Sequence, residues 1–100
     1  MGFPKIVYWK SKRYLKWISQ KSCIACMQPG PVDPHHVSLM TNIVGGKPPD
    51  SHAVPLCRRC HGQLEDYYLG ENMYWEDAGI SIERIILRYI TEYLMDNGVR

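Results

Sequence analysis

Two Cys-x2-Cys pairs, Cys23 with Cys26 and Cys57 with Cys60, constrain this chain more than any other feature. They hold all four of its cysteines and are separated by 30 residues. The two-residue spacing lets one tight turn present both sulfurs to a single ion, and two such turns supply the four thiolates of a closed tetrahedral zinc site. A thioredoxin-like redox pair is the competing use of Cys-x2-Cys, but it belongs in a βαβ setting and needs one pair, not two. Four thiolates saturate Zn2+ and leave no position for water, so such an ion braces the fold and does no catalysis. The brace also answers a problem of size. A chain of 100 residues, 45% hydrophobic, makes one domain with a modest core and buries a smaller share of its surface than a larger protein does.

Thiolates kept for a metal fit a reducing, cytoplasmic compartment. The stretch from Met1 to Trp17 is broken by Lys10, Lys12, Arg13 and Lys16 and carries no apolar run of a leader peptide's length. No apolar stretch approaches the ~20 residues of a membrane span, so no membrane partner is expected. Net charge is only +2, but its layout is lopsided. Six lysines or arginines precede Asp33, the first acid, and eight of the ten acids lie from Glu65 onward. A cationic first third suggests a surface turned to a polyanion, against the plainer reading of a solvated helix face.

Ser11 is the expected N-cap of a helix from Lys12 to about Lys21, with Tyr14, Leu15 and Ile18 inward and Lys12, Arg13, Lys16 and Lys21 outward. Val32 to Val37 reads as a strand that Pro34 confines to a sheet edge. A loop from Ser38 to Ser51, marked by Gly45-Gly46 and Pro48-Pro49, leads to a second strand from His52 to Leu56. A helix is expected from near Cys57 to about Tyr68. Past Gly70, a connector carrying Met73, Tyr74 and Trp75 packs on the core. Ser81 then caps a final helix of about fifteen residues, stopped by Asn97-Gly98. Its stripe of Ile82, Ile85, Ile86, Tyr89, Ile90, Tyr93 and Leu94 reads as core, with a dimer surface as the alternative.

All four histidines, His35, His36, His52 and His61, lie in or just beyond the loop that the cysteines close. Asp33-Pro34-His35-His36-Val37, then Gly45-Gly46, then Val54-Pro55-Leu56-Cys57-Arg58-Arg59-Cys60-His61, resemble the HNH nuclease family in its zinc-braced form. The resemblance covers about Cys23 to Glu65. The lead-in Lys12-Arg13-Tyr14-Leu15-Lys16-Trp17-Ile18 is similar to small phage-type HNH proteins associated with recombination. The resemblance implies an α+β fold: a small ββα-metal finger with a four-cysteine zinc site, flanked by an N-terminal basic helix and a C-terminal amphipathic helix over about 81–96.

It also implies roles. His36 matches the general base, and His35 and His61 match the ligands of a divalent cation, Mg2+ or another such as Mn2+ or Ni2+. His52 takes the place of the family's middle Asn, where it would orient the base or contact phosphate. Glu65 sits where some relatives carry a further ligand. Adjacent strand residues face opposite sides, so His35 and His36 share one site only if the strand bends near Pro34; a straight strand makes Asp33 the better ligand.

The function so implied is hydrolysis of DNA phosphodiester bonds with little sequence specificity. Lys12, Arg13, Lys16, Lys47, Arg58 and Arg59 would serve as phosphate contacts. DNA is the expected partner, with a recombination or phage-assembly protein as a second one. The chain would act as a monomer or homodimer in the cytoplasm of a bacterium or phage-infected host. The alternative is a non-catalytic zinc module that binds nucleic acid or a protein; it would hold one metal per chain and need no Mg2+.

Overall fold

The computed structural model describes residues 9–37 and 48–97. Their order is α1 (Lys12–Ser19), β1 (Asp33–His36), a 3-10 turn (Asp50–His52), β2 (Ala53–Leu56), α2 (Arg58–Glu65), α3 (Glu71–Asp77) and α4 (Ile82–Asp96). This is a small α+β architecture in which an antiparallel pair of strands packs on helices and a long helix closes the chain.

Helix α1 starts where its capping residue predicts. Ser11 is extended, and its hydroxyl accepts the Tyr14 amide at 3.0 Å, satisfying one of the donors that a helix start leaves open. The helix stops short of Lys21 because the last turn tightens: the amides of Gln20 and Lys21 bond three residues back, to Trp17 and Ile18. Tyr14 and Ile18 are fully buried and Leu15 half-buried, while Lys12, Arg13 and Lys16 face outward. Lys21 instead sets its ammonium 4.1 Å above the Trp17 ring. Replacing the cap, Ser11→Ala, is expected to cost about 1 kcal/mol in urea unfolding. An unchanged midpoint would show that the cap contributes nothing.

The strands are short and each carries a proline, and this dictates their register. Pro34 stands opposite Pro55, with Asp33 opposite Leu56, His35 opposite Val54 and His36 opposite Ala53. A proline has no N–H to give a ladder, so two prolines can face each other only at a non-hydrogen-bonded position. The outward carbonyl of Pro55 is used elsewhere, accepting the Ile24 amide at 3.1 Å and so fastening the first cysteine turn to β2. The chain reaches β1 by passing close under the end of α1. A Cβ on Gly30 would lie 2.9 Å from the carbonyl oxygens of Ser19 and Gln20, which admits only glycine there. Residues 38–47 of the loop after β1, with Gly45, Gly46 and Lys47, lie outside the described residues.

Three expectations need correction. The segment after Gly70 is not a connector but helix α3. Gly79, at φ +71, closes it: the Gly79 amide bonds the Glu76 carbonyl and the Ile80 amide the Trp75 carbonyl, the paired bonds of a Schellman stop. Ser81 does occupy the N-cap of α4, but its side chain makes no capping bond. Helix α2 also ends earlier than Tyr68, where the Asp66 and Tyr67 amides turn back to Gly62 and Leu64.

The core lies between the strands and α4. Val37, Val54 and Leu56 meet Leu64, Trp75, Ile82 and Ile86, with Cys23, Cys57 and Cys60 in the same cluster. The α4 stripe is thus largely core, as expected. Its Tyr93 meets Tyr14 edge-on at 4.8 Å between ring centroids, joining α4 to α1. Leu94, the last member, is 40% exposed. Burial pushes the Tyr14 hydroxyl well above its usual range.

Candidate functional site

The cysteine turns meet as their spacing requires. Cys23 and Cys26 come from the turn after α1, and Cys57 and Cys60 from the junction of β2 with α2, so the cluster bridges the hairpin and a helix. None is in a disulfide, and the four sulfurs lie within 4.8 Å of one another. Cys26 and Cys57 stand 3.6 Å apart. Two sulfurs bound to one zinc at ~2.3 Å in a tetrahedron are ~3.8 Å apart, so this donor set fits Zn2+. A hydrogen bond with the Gln28 backbone is the first of several pushing the Cys26 thiol down to about 6, whereas burial pushes Cys60 up to about 12. One sulfur of the set therefore ionises readily and another resists, and a dication offsets the cost of ionising all four. Cys57 also caps α2, its sulfur accepting the Cys60 amide at 3.5 Å.

His61 directly follows Cys60, one turn into α2 from the Cys57 cap. Its Nε2 lies 3.2 Å from Nδ1 of His35, and the two rings meet edge-on at 4.8 Å. Glu65, one turn on, places Oε1 3.3 Å from the same His61 Nε2. A residue that sequence reading missed completes the group. Glu71, the first residue of α3, sets Oε2 3.0 Å from His35 Nε2 and accepts Trp75 Nε1–H at the same distance. An ionised carboxylate can only accept, so His35 carries its proton on Nε2 and turns the Nδ1 lone pair toward His61. Two imidazole nitrogens at this spacing, one a bare lone pair, form a donor set that a proton or a cation must bridge. The 3.2 Å spacing is that of a hydrogen bond between the two rings; bound to one ion at ~2.1 Å in a tetrahedron, two imidazole nitrogens would stand ~3.4 Å apart.

His36 goes elsewhere. Strand β1 pairs one-to-one with β2 through His36, with no bulge, and alternation sends the two neighbouring histidines to opposite faces. His36 Nε2 meets Asp50 Oδ1 at 2.8 Å. The bend needed to bring His35 and His36 together is absent. Asp33 is 46% exposed at its side chain and lies 3.9 Å from Arg58, while His35 itself reaches His61.

Asp50 was not foreseen either. Its second oxygen accepts the Ser11 amide at 2.7 Å. Burial opposes its ionisation, but the bonds from His36 and Ser11, with the nearby Lys10 charge, outweigh that and leave it below the usual carboxylate range. His52 closes the same turn. Burial first, then the charge that His36 can carry, lower its pKa, and its Nδ1 is buried with no partner among the described residues. His52 therefore stays neutral where an exposed histidine titrates.

The cationic residues divide similarly. Lys12 and Lys16 are exposed on α1, whose N-terminal end is tied to Asp50 through Ser11. Arg13 is exposed as well but bonds the Asn97 side chain at 2.8 Å. Arg58 is 93% exposed at its side chain. Arg59 turns to the cysteine cluster, where bonds with Cys26 and then Cys60 raise its pKa. Lys47 is outside the described residues.

These features define a class: a small α+β chain in which a four-cysteine cluster ties a hairpin to a helix. The chain belongs to the family described as protein of unknown function DUF968, whose model matches residues 1–91. It is 30% identical over 95 residues to the Uncharacterized protein YdfU of Escherichia coli (strain K12), a match covering 94% of this chain and 26% of that protein. The chain thus spans about a quarter of the length of the curated relative it matches. No solved structure matches it. Among the described residues, no helix is long and apolar enough to cross a membrane.

Proposed function

We propose that this chain is a metal-dependent endonuclease of the HNH type, hydrolysing DNA phosphodiester bonds with little sequence preference. The observation that carries the reading is the His35–His61 pair, nitrogens 3.2 Å apart, one from a hairpin strand and one from the helix that the cysteine cluster fastens beside it. That order of two strands and a helix is the ββα-metal layout which the sequence resembles. His35 and His61, with Glu65 alongside, would hold a divalent cation, which would supply charge to polarise the scissile phosphate and stabilise the leaving oxygen.

The chain's own groups do the rest. His36, with Nε2–H donated to Asp50, keeps the Nδ1 lone pair to take a proton from the attacking water. The water oxygen bonds phosphorus as the bond to the 3′ oxygen breaks, leaving a 5′-phosphate and a 3′-hydroxyl. Lys12 and Lys16 hold the backbone without reading bases, and Arg13 and Arg58 extend that contact. His35 and His36 lie on opposite faces of β1, so a phosphate served by both would have to span that strand. A recombination or phage-assembly protein would supply specificity, in the cytoplasm of a bacterium or infected host.

The separation of His36 from the His35–His61 pair also favours the second reading, a zinc module that binds nucleic acid or protein without cleaving. Counting metals distinguishes the two. The zinc-loaded chain should take up one further Mn2+, more weakly than zinc, and His61→Ala should weaken that site by more than the 10- to 100-fold typical of losing a mere outer partner. One zinc and no second ion in the native chain would favour the module.

A further inference from the structure

We infer that Asp50 is the positioning residue of His36: it holds the imidazole as the Nε2–H tautomer, so that Nδ1 alone is available as a base. The role given to His36 rests on the nuclease reading, but the hold on its tautomer does not.

Asp50 is fixed on three sides. Oδ1 faces His36 Nε2 at 2.8 Å, and Oδ2 accepts the Ser11 amide at 2.7 Å. Its own amide donates to the Trp9 carbonyl at 2.9 Å. With both oxygens engaged the carboxylate has no freedom to turn, and with its backbone held it has none to withdraw. A side chain that can only accept forces the facing nitrogen to donate, which decides the tautomer of a neutral imidazole. The side chains are 16% exposed at Asp50 and 25% at His36, so water competes weakly for the bond while His36 stays open to a substrate.

Ser11 gives this clamp a second consequence. Its hydroxyl caps α1 while its amide anchors Asp50. The helix carrying Lys12 and Lys16 and the ring of His36 are therefore both fastened to Ser11 and Asp50. The bland alternative makes Asp50 only a tether for the start of α1. The Ser11 bond would suffice for that, and His36 would then be indifferent to the carboxylate.

The test reads the tautomer directly, from long-range 1H–15N correlations of the zinc-loaded chain with its imidazoles neutral. His36 should show a protonated Nε2 and a bare Nδ1 in the native chain, and a mixture of tautomers in Asp50→Leu. Where cleavage is measurable, Asp50→Leu should lower kcat roughly 10- to 100-fold at unchanged KM, the cost typical of removing an outer partner that orients a functional histidine. Nδ1–H in the native chain overturns the inference, as does a tautomer ratio, or a kcat, indifferent to Asp50→Leu. If Asp50→Leu does not fold, the native tautomer decides alone, Nε2–H supporting the inference and Nδ1–H overturning it. Absence of cleavage by the native chain would remove the nuclease reading and still leave the tautomer to judge what Asp50 does to His36.

Discussion

Cys57→Ser is expected to leave the chain unfolded, not merely less active. Cys57 is buried, belongs to the four-sulfur cluster and caps α2. Serine could keep the cap, because its hydroxyl also accepts an amide, but it makes a poor zinc ligand. Zinc binding to small structural sites contributes on the order of 10–16 kcal/mol near neutral pH. Whole domains are stable by only about 5–15 kcal/mol, so losing one ligand of four removes much of what keeps this one folded. The loss falls where the first cysteine turn, β2 and α2 are joined. Circular dichroism with zinc content measured on the same sample checks it. A zinc-free Cys57→Ser chain with native helix content and a native urea midpoint would contradict the structural role of the cluster.

His36→Ala should do the opposite, sparing the fold and abolishing the chemistry. The side chain is a quarter exposed and, among the described residues, hydrogen-bonds Asp50, so truncation removes little packing. A positioned base contributes typically 10²- to 10⁴-fold to rate, and a loss of that size in single-turnover DNA cleavage is expected. Binding should change little, because the contacts proposed for the DNA backbone, Lys12 and Lys16 on α1, stay in place. Cleavage by His36→Ala at the native rate would remove His36 from the mechanism.

The cluster and the hairpin were legible in the sequence because both rest on local rules. Cys-x2-Cys spacing fixes two short turns, and the glycine and proline signals between them mark off two short strands, though not their register. Once the cysteines join those turns, His61 must lie near β1, and so its meeting with His35 followed. Adjacent histidines on a straight strand must diverge, and they do; what failed was the expectation of a bend near Pro34. Glu71 and Asp50 were not legible, because their partners are distant in sequence. His35 bonds Glu71 across 36 positions, and His36 bonds Asp50 across 14. No periodicity carries such information. Helix α3 was missed for another reason: seven residues have too few internal bonds to signal a helix by propensity, and burial of Trp75 supplies what propensity lacks. Gly79 after Asp77-Ala78 was the signal that would have found it.

Nicking of supercoiled plasmid DNA tests the central claim most directly. The zinc-loaded native chain would be compared with His61→Ala, each with Mg2+, Mn2+ or Ni2+ and with no added divalent ion. The account predicts nicks ending in 5′-phosphate and 3′-hydroxyl, made only by the native chain and only with added metal. Equal nicking by His61→Ala, or none by the native chain with any of the three metals, would contradict it.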